Sequence, residues 1–303
     1  MSKIFQGTYT ALATPFVEGK IDWKSFEKLV QNQVDGGIDG FVVNGTTGES
    51  PTLQKDEVVH LLQKVKALAP TQKIILGTGS NSTQTSIENV ERANDLEVDG
   101  VLVVVPYYNK PPQRGLVAHF ESIAEKSRTP VVMYNVPGRT IQSLSAESIG
   151  ELSKHPNISG LKESTGDLEF LKKILNVVPK DFCLLSGDDG TAVDFCLNGG
   201  DGVIGVVTHL IPNQFSSWIR RAREKDPQAS VELKGWMDLI DGIYVEANPI
   251  PVKAALQKMG IFQSAELRLP LVELDQKFQV CHEDLPFLRI EQVHNKHRAS
   301  YSF

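Results

Sequence analysis

The sequence predicts an α/β chain folded as a (β/α)8 TIM barrel with a small C-terminal helical domain. Three observations carry this. Apolar bursts of strand length recur eight times up to residue 206, and segments of helical period separate them. The bursts are apolar throughout and do not alternate with polar residues, as expected of a parallel sheet whose faces are both covered. From about Ser230 onward only helical patterns remain. A length of 303 residues alone fits one large barrel or two ordinary domains equally well, so the repeat decides.

In order, the strands are TYTALAT (8–14), DGFVVN (39–44), KIILGT (73–78), GVLVVVP (100–106), PVVMYN (130–135), ISGLK (158–162), FCLLSG (182–187) and GVIGV (202–206). Phe26, Leu29, Val30 and Val34 give the first helix one apolar face, and Val58, Leu61, Leu62, Val65 and Leu68 do the same for the second. Gly36-Gly37 and Ala69-Pro70 stop these helices. The second is expected to begin near Leu53 with Thr52 as its N-cap. The barrel is assigned to 1–229 and the helical domain with its tail to 230–303. That domain would hold helical segments at VELKGWMDLIDGIYVE, PIPVKAALQKMG and LPLVELDQKFQ, then the polar tail IEQVHNKHRASYSF.

A formal charge of -6 and the lack of long Lys/Arg runs argue against nucleic acid or acidic membranes as partners. Cys183, Cys196 and Cys281 are odd in number and have no metal spacing, and the first two sit among apolar neighbours; they read as thiols in a reducing compartment. The N-terminus lacks a secretory pattern and no apolar run spans a bilayer, so a cytoplasmic location is expected. The seven histidines are scattered, His294 and His297 lie in the basic tail, and no metal is expected.

In such a barrel the chemistry sits where strands end and loops begin. There the chain places Asn44-Gly-Thr-Thr-Gly-Glu-Ser50, Pro106-Tyr-Tyr-Asn-Lys-Pro111, Tyr134-Asn-Val-Pro-Gly-Arg139, Lys162 and Ser186-Gly-Asp-Asp-Gly190. Lys162 reads in two ways. It is a strand-end lysine that snorkels to water or pairs with Glu163, or it is an imine-forming amine, which needs apolar or cationic surroundings to be partly neutral near pH 7. GTTGES is either a glycine-rich turn or a cradle of hydroxyls and backbone N–H groups for a small carboxylate. Tyr134 is a core aromatic or a proton relay. Tyr107 and Tyr108 suit an interface, and Arg139 suits either a surface turn or a substrate carboxylate. Asp188 and Asp189 are expected to cap the helix after the seventh strand.

With GTTGES, PYYNKP, YNVPGRT, GLKEST and SGDD in this order, the chain resembles the pyruvate-dependent class I aldolase family, over nearly its whole length from GTYTALATPF to NPIPVKAAL. The paired threonines, the Tyr-Tyr pair, the arginine of YNVPGRT and NPIPVK are most similar to the branch that joins pyruvate to L-aspartate 4-semialdehyde. The resemblance implies that Lys162 forms the imine with pyruvate and that Thr46 and Thr47 hold its carboxylate. Tyr134, Thr47 and Tyr108 would relay protons, with Tyr108 supplied by a neighbouring subunit. Arg139 would bind the carboxylate of the second substrate, and Gly187 and Ile204 would line the pocket. It further implies no cofactor beyond the covalent Schiff base, and a homotetramer built as a dimer of dimers.

Where lysine-inhibited members carry histidines and a glutamate in their allosteric cleft, the matching positions are Lys55, Val58 and Thr85, although Ser50, Asn81 and Tyr107 match. Feedback by lysine is therefore expected to be weak or absent. The competing readings are a sister aldolase acting on sialic acid or a 2-keto-3-deoxy sugar acid, a non-catalytic keto-acid-binding barrel, and a phosphate-binding barrel isomerase. Arg139 argues against the first and the retained Lys162 against the second. The third lacks a clear phosphate cradle after the last two strands.

Overall fold

The computed structural model describes residues 3–278. All eight apolar bursts become parallel strands of one closed barrel. Strand β1 (Gly7–Ala11) leads through a small hairpin, β2 (Phe16–Val17) and β3 (Lys20–Ile21), to helix α1 (Trp23–Asp35). Then follow β4 (Gly40–Val43), α2 (Lys55–Leu68), β5 (Lys73–Gly77), α3 (Thr83–Ala93), β6 (Gly100–Val104), α4 (Gln113–Lys126) and β7 (Val131–Asn135). Two helices, α5 (Pro137–Thr140) and α6 (Ala146–Leu152), precede β8 (Ile158–Glu163), α7 (Leu168–Leu175), β9 (Cys183–Ser186), α8 (Ala192–Leu197), β10 (Gly202–Gly205) and α9 (Pro212–Arg223). Helices α10 (Gln228–Lys234), α11 (Met237–Gly242) and α12 (Ile250–Lys258) complete the described chain. Closure comes from β1, where Tyr9 is in register with Ile204 of β10 on one side and Gly40 of β4 on the other.

The apolar bursts divide into two cores because successive side chains leave a strand on opposite faces. Phe41, Val43, Ile74, Leu76, Val101, Val103, Val131, Met133, Leu161 and Leu184 point outward and pack with the helices. Tyr9, Val42, Ile75, Leu102, Val132, Tyr134, Leu185 and Ile204 point inward and fill the barrel, with Phe5 and Cys183 also in this inner cluster. This is why the strands read as apolar on every position. Beneath the barrel Phe5 is fully buried, and a Cβ on Gly100 would lie 2.5 Å from its ring.

Three local expectations are corrected. Helix α2 begins at Lys55, not Leu53, and Thr52 is not its cap; Ser50–Thr52 form a short 3-10 turn in which Thr52 Oγ1 donates to Glu49 O. The helix start is fixed instead by Glu57, which accepts the Gln54 N–H at 2.8 Å. The third C-terminal helix is absent through Asp275, with helix only at 276–278. There Arg268 is drawn to Glu57 and to the Gly19 carbonyl, and Pro270 removes a backbone donor. Asp188 does receive the Thr191 N–H ahead of α8, but Asp189 turns inward and caps nothing on that helix. The polar tail, Cys281, His294 and His297 lie outside the described residues.

Among the described residues no helix is long and apolar enough to cross a membrane, and no group of three or more His, Cys, Asp or Glu is arranged to hold a metal. Cys183 and Cys196 are buried free thiols.

Buried titratable groups set a pH dependence. Burial holds the imidazoles of His119 and His209 down at about 4, and it pushes the Asp189 carboxyl up to about 6 despite donors from Val206, Val207 and Tyr244. His209 is locked between the Ala13 N–H, which donates to Nε2, and the Val206 carbonyl, which meets Nδ1 at 2.7 Å. Both histidines are neutral when folded and take up protons near pH 6.5 when unfolded, so acidification favours the unfolded chain. Asp189 opposes this, because its folded form binds a proton at higher pH than its unfolded form. The sum over pH 7 to pH 5 is a loss of about 2 kcal/mol from these three groups. Denaturant unfolding of the wild type and of His209→Gln at both pH values checks the sign: the wild type is expected to lose stability on acidification, and the variant to lose less.

Candidate active site

Strand β8 places Gly160 and Lys162 on the inward face, while Leu161 and Glu163 point out. Lys162 is 7% exposed and has no ion-pair partner among the described residues. Glu163 is not its partner: its carboxylate accepts from Asn135 Nδ2 at 2.8 Å and from the Thr165 N–H at 2.6 Å. Burial raises the Glu163 pKa, and the hydrogen bonds from Asn135 and Thr165 counter it. Neither the snorkelling nor the paired reading of Lys162 therefore holds.

The neighbouring strands supply its walls. Tyr134 on β7 is in register with Lys162, and the Lys162 Nζ lies 4.3 Å from the centre of its ring. On the other side Leu185 of β9 is in register with Lys162, and Gly187 follows that strand. A side chain at 187 would have to displace both neighbours: a Cβ there would lie 2.7 Å from Lys162 Cε and 1.8 Å from Ser164 Oγ. Ile204 on β10 is 1% exposed and belongs to the layer of inward side chains that also includes Tyr134 and Leu185.

The GTTGES segment forms a tight turn after β4, with the Gly48 and Ser50 N–H groups both donating to the Gly45 carbonyl. Thr47 is 2% exposed and its Oγ1 accepts from Asn248 Nδ2 at 2.8 Å. Thr46 is half-buried beside it. Arg139 sits on the one-turn helix α5, exposed, with Nη2 donating to the Asn248 carbonyl at 3.0 Å. Asn248 thus ties Thr47 to Arg139. Tyr108 stands apart from this group: it is 87% exposed, on a loop after β6, with a positive φ of 75°.

Sequence reasoning missed Asn248 and the Glu49–Lys253 pair. Asn248 lies in NPIPVK, a motif noted without a role. Glu49 and Lys253 form a buried ion pair at 2.6 Å, with side chains 1% and 0% exposed. The Lys253 ammonium also lies 4.4 Å from the centre of the Phe16 ring, and burial pushes its pKa down while Glu49 opposes this. The signal was present, since Lys253 falls on the same helical stripe as Ile250 and Leu256. Asp189, expected as a helix cap, instead accepts the Val207 N–H at 2.8 Å and the Tyr244 hydroxyl at 2.8 Å.

Residues 4–285 match the model of the dihydrodipicolinate synthetase family. A 4-hydroxy-tetrahydrodipicolinate synthase of Bdellovibrio bacteriovorus is 50% identical over 274 residues, covering 90% of this chain and 94% of that one. The solved structure of the 4-hydroxy-tetrahydrodipicolinate synthase from Methylacidiphilum fumariolicum SolV superposes with a TM-score of 0.91 at 37% identity, over 97% of this chain and 99% of that one. The dihydrodipicolinate synthase of Acinetobacter baumannii, solved in complex with pyruvate, gives 0.87 at 40% identity, over 90% and 95%. With a closed eight-stranded barrel, a buried lysine at the end of β8 and agreement of this extent, the chain belongs to the dihydrodipicolinate synthetase family.

Proposed function

We propose that this barrel condenses pyruvate with L-aspartate 4-semialdehyde to 4-hydroxy-tetrahydrodipicolinate, a step of lysine (diaminopimelate) biosynthesis, through an imine on Lys162. The observation that carries this reading is Lys162 itself, buried at the barrel mouth with no counter-ion among the described residues and the Tyr134 ring against its amine. The amine adds to the keto carbon of pyruvate and water leaves as the imine forms. Loss of a methyl proton gives an enamine, whose carbon attacks the aldehyde. Ring closure by the substrate's own amine then releases Lys162.

Thr46 and Thr47 hold the pyruvate carboxylate, and Arg139, with most of its donors unbonded to protein among the described residues, binds the carboxylate of the second substrate. Tyr134, Thr47 and Tyr108 move the protons. An 87%-exposed tyrosine suits a role in a second copy of the chain, which makes the site complete only in an assembly, a homotetramer built from two dimers. Gly187 and Ile204 shape the pocket. The iminium is the electron sink, so the reaction asks for no cofactor. Two buried free thiols fit a reducing cytoplasm.

Incubation with pyruvate and borohydride, read by peptide mass, is expected to place a reduced adduct on Lys162; absence of the adduct would refute the reading. Turnover with aspartate semialdehyde but not with N-acetylmannosamine separates it from a sialic-acid aldolase. In the same turnover assay, low-millimolar lysine is expected to leave the rate within about twofold of the control, because Lys55 repels an ammonium group.

A further inference from the structure

Strand β8 does not end chemically at Lys162. The ladder continues, with Ser164 N–H donating to the Asn135 carbonyl at 3.0 Å and Gly187 N–H to the Glu163 carbonyl at 2.7 Å. Alternation therefore turns Ser164 to the same inward face as Lys162, about 6.6 Å further toward the mouth. The Ser164 Oγ is buried, yet no group among the described residues hydrogen-bonds to it. It stands on the Gly187 side of Lys162, in the space that a side chain at 187 would take, opposite the wall made by Tyr134. A buried hydroxyl without a protein partner loses its hydration for nothing in return unless a ligand completes it.

We infer that Ser164 is a further substrate-contacting residue of this mouth, whose hydroxyl donates to an oxygen of the aldehyde substrate. This rests on the imine reading of Lys162 given above. The first substrate is fixed at the amine, and the second must approach from the open side, in the layer that Ser164 occupies. The partner is thus a polar oxygen of the incoming aldehyde and not the pyruvate carboxylate, which lies toward Thr46 and Thr47.

Ser164→Ala tests this directly, because it removes one oxygen to which no group among the described residues hydrogen-bonds. The kcat/KM for aspartate semialdehyde is expected to fall about 3–10-fold. The KM for pyruvate and the extent of borohydride trapping should stay within about twofold of wild type, and the unfolding midpoint should be equal or higher. An unchanged kcat/KM for the aldehyde overturns the inference. So does a rise in the pyruvate KM alone, and so does a lower unfolding midpoint with intact kinetics, which would make the hydroxyl a structural group. If wild type neither traps pyruvate nor turns over the semialdehyde, the imine reading fails and this inference falls with it; trapping in wild type with an indifferent Ser164→Ala rejects this inference alone.

Discussion

Lys162→Ala is expected to lower turnover by about 10³-fold or more and to abolish the pyruvate adduct, while the barrel stays folded. The size follows from what is removed. Without the amine there is no iminium to draw electrons from the methyl carbon, and no neighbouring side chain replaces it, since Tyr134 and the threonines offer only hydroxyls. The barrel should tolerate the change because, among the described residues, the lysine has no ion pair whose loss strands a buried partner. Relief of a buried amine offsets the small cavity left by its stem. Circular dichroism and an unfolding midpoint within a few degrees of wild type, beside a mass spectrum without adduct, check both halves. A trapped adduct on another lysine would reject the assignment.

Glu49→Gln is expected to have the largest effect on stability, a loss of about 3–5 kcal/mol. Glu49 holds Lys253 with one carboxylate oxygen and receives the Arg268 N–H at 3.0 Å with the other. Glutamine leaves the Lys253 ammonium without its counter-charge inside the protein. Lys253→Met in the same chain is expected to recover most of the loss, because the apolar stripe of α12 then continues unbroken. Equilibrium denaturation of the single and double variants measures both. Should Glu49→Gln cost less than about 1 kcal/mol, the ion pair contributes no more than an exposed one. The same variant is also expected to slow turnover, since Glu49 follows Thr47 and Gly48 in the turn after β4.

Much of this was legible along the chain, for reasons that differ by residue. The eight strands were visible because burial on both faces makes them apolar at every position, and Lys162 stood out because it interrupts such a run. Tyr134 drew notice because it stands near the end of an apolar strand, whereas Gly187 was named only through the family resemblance. Asn248 and Ser164 were not assigned roles, because an amide and a hydroxyl in loops are ordinary residues until three-dimensional neighbours give them work. Thr52 lost its expected place to Glu57, whose side chain reaches back to Gln54, a local competition that composition does not decide. LPLVELDQKFQ, from Leu269, read as helix, but Arg268 just before it is tied to Gly19, Glu49 and Glu57, and the chain stays non-helical through Asp275.

The filled interior of the barrel governs traffic. Val42, Val132, Leu185 and Ile204 are buried in the inward cluster of the barrel, and Phe5, fully buried, belongs to the same cluster at the far end. Among the described residues, a site at Lys162 is thus open toward the C-terminal ends of the strands. Whatever arrives second stands between the first guest and the solvent, and the finished ring has to leave before another keto acid reaches the amine. Under the imine mechanism proposed for Lys162, order of arrival follows from this shape, with the covalent first step holding the inner guest in place while the outer one is chosen.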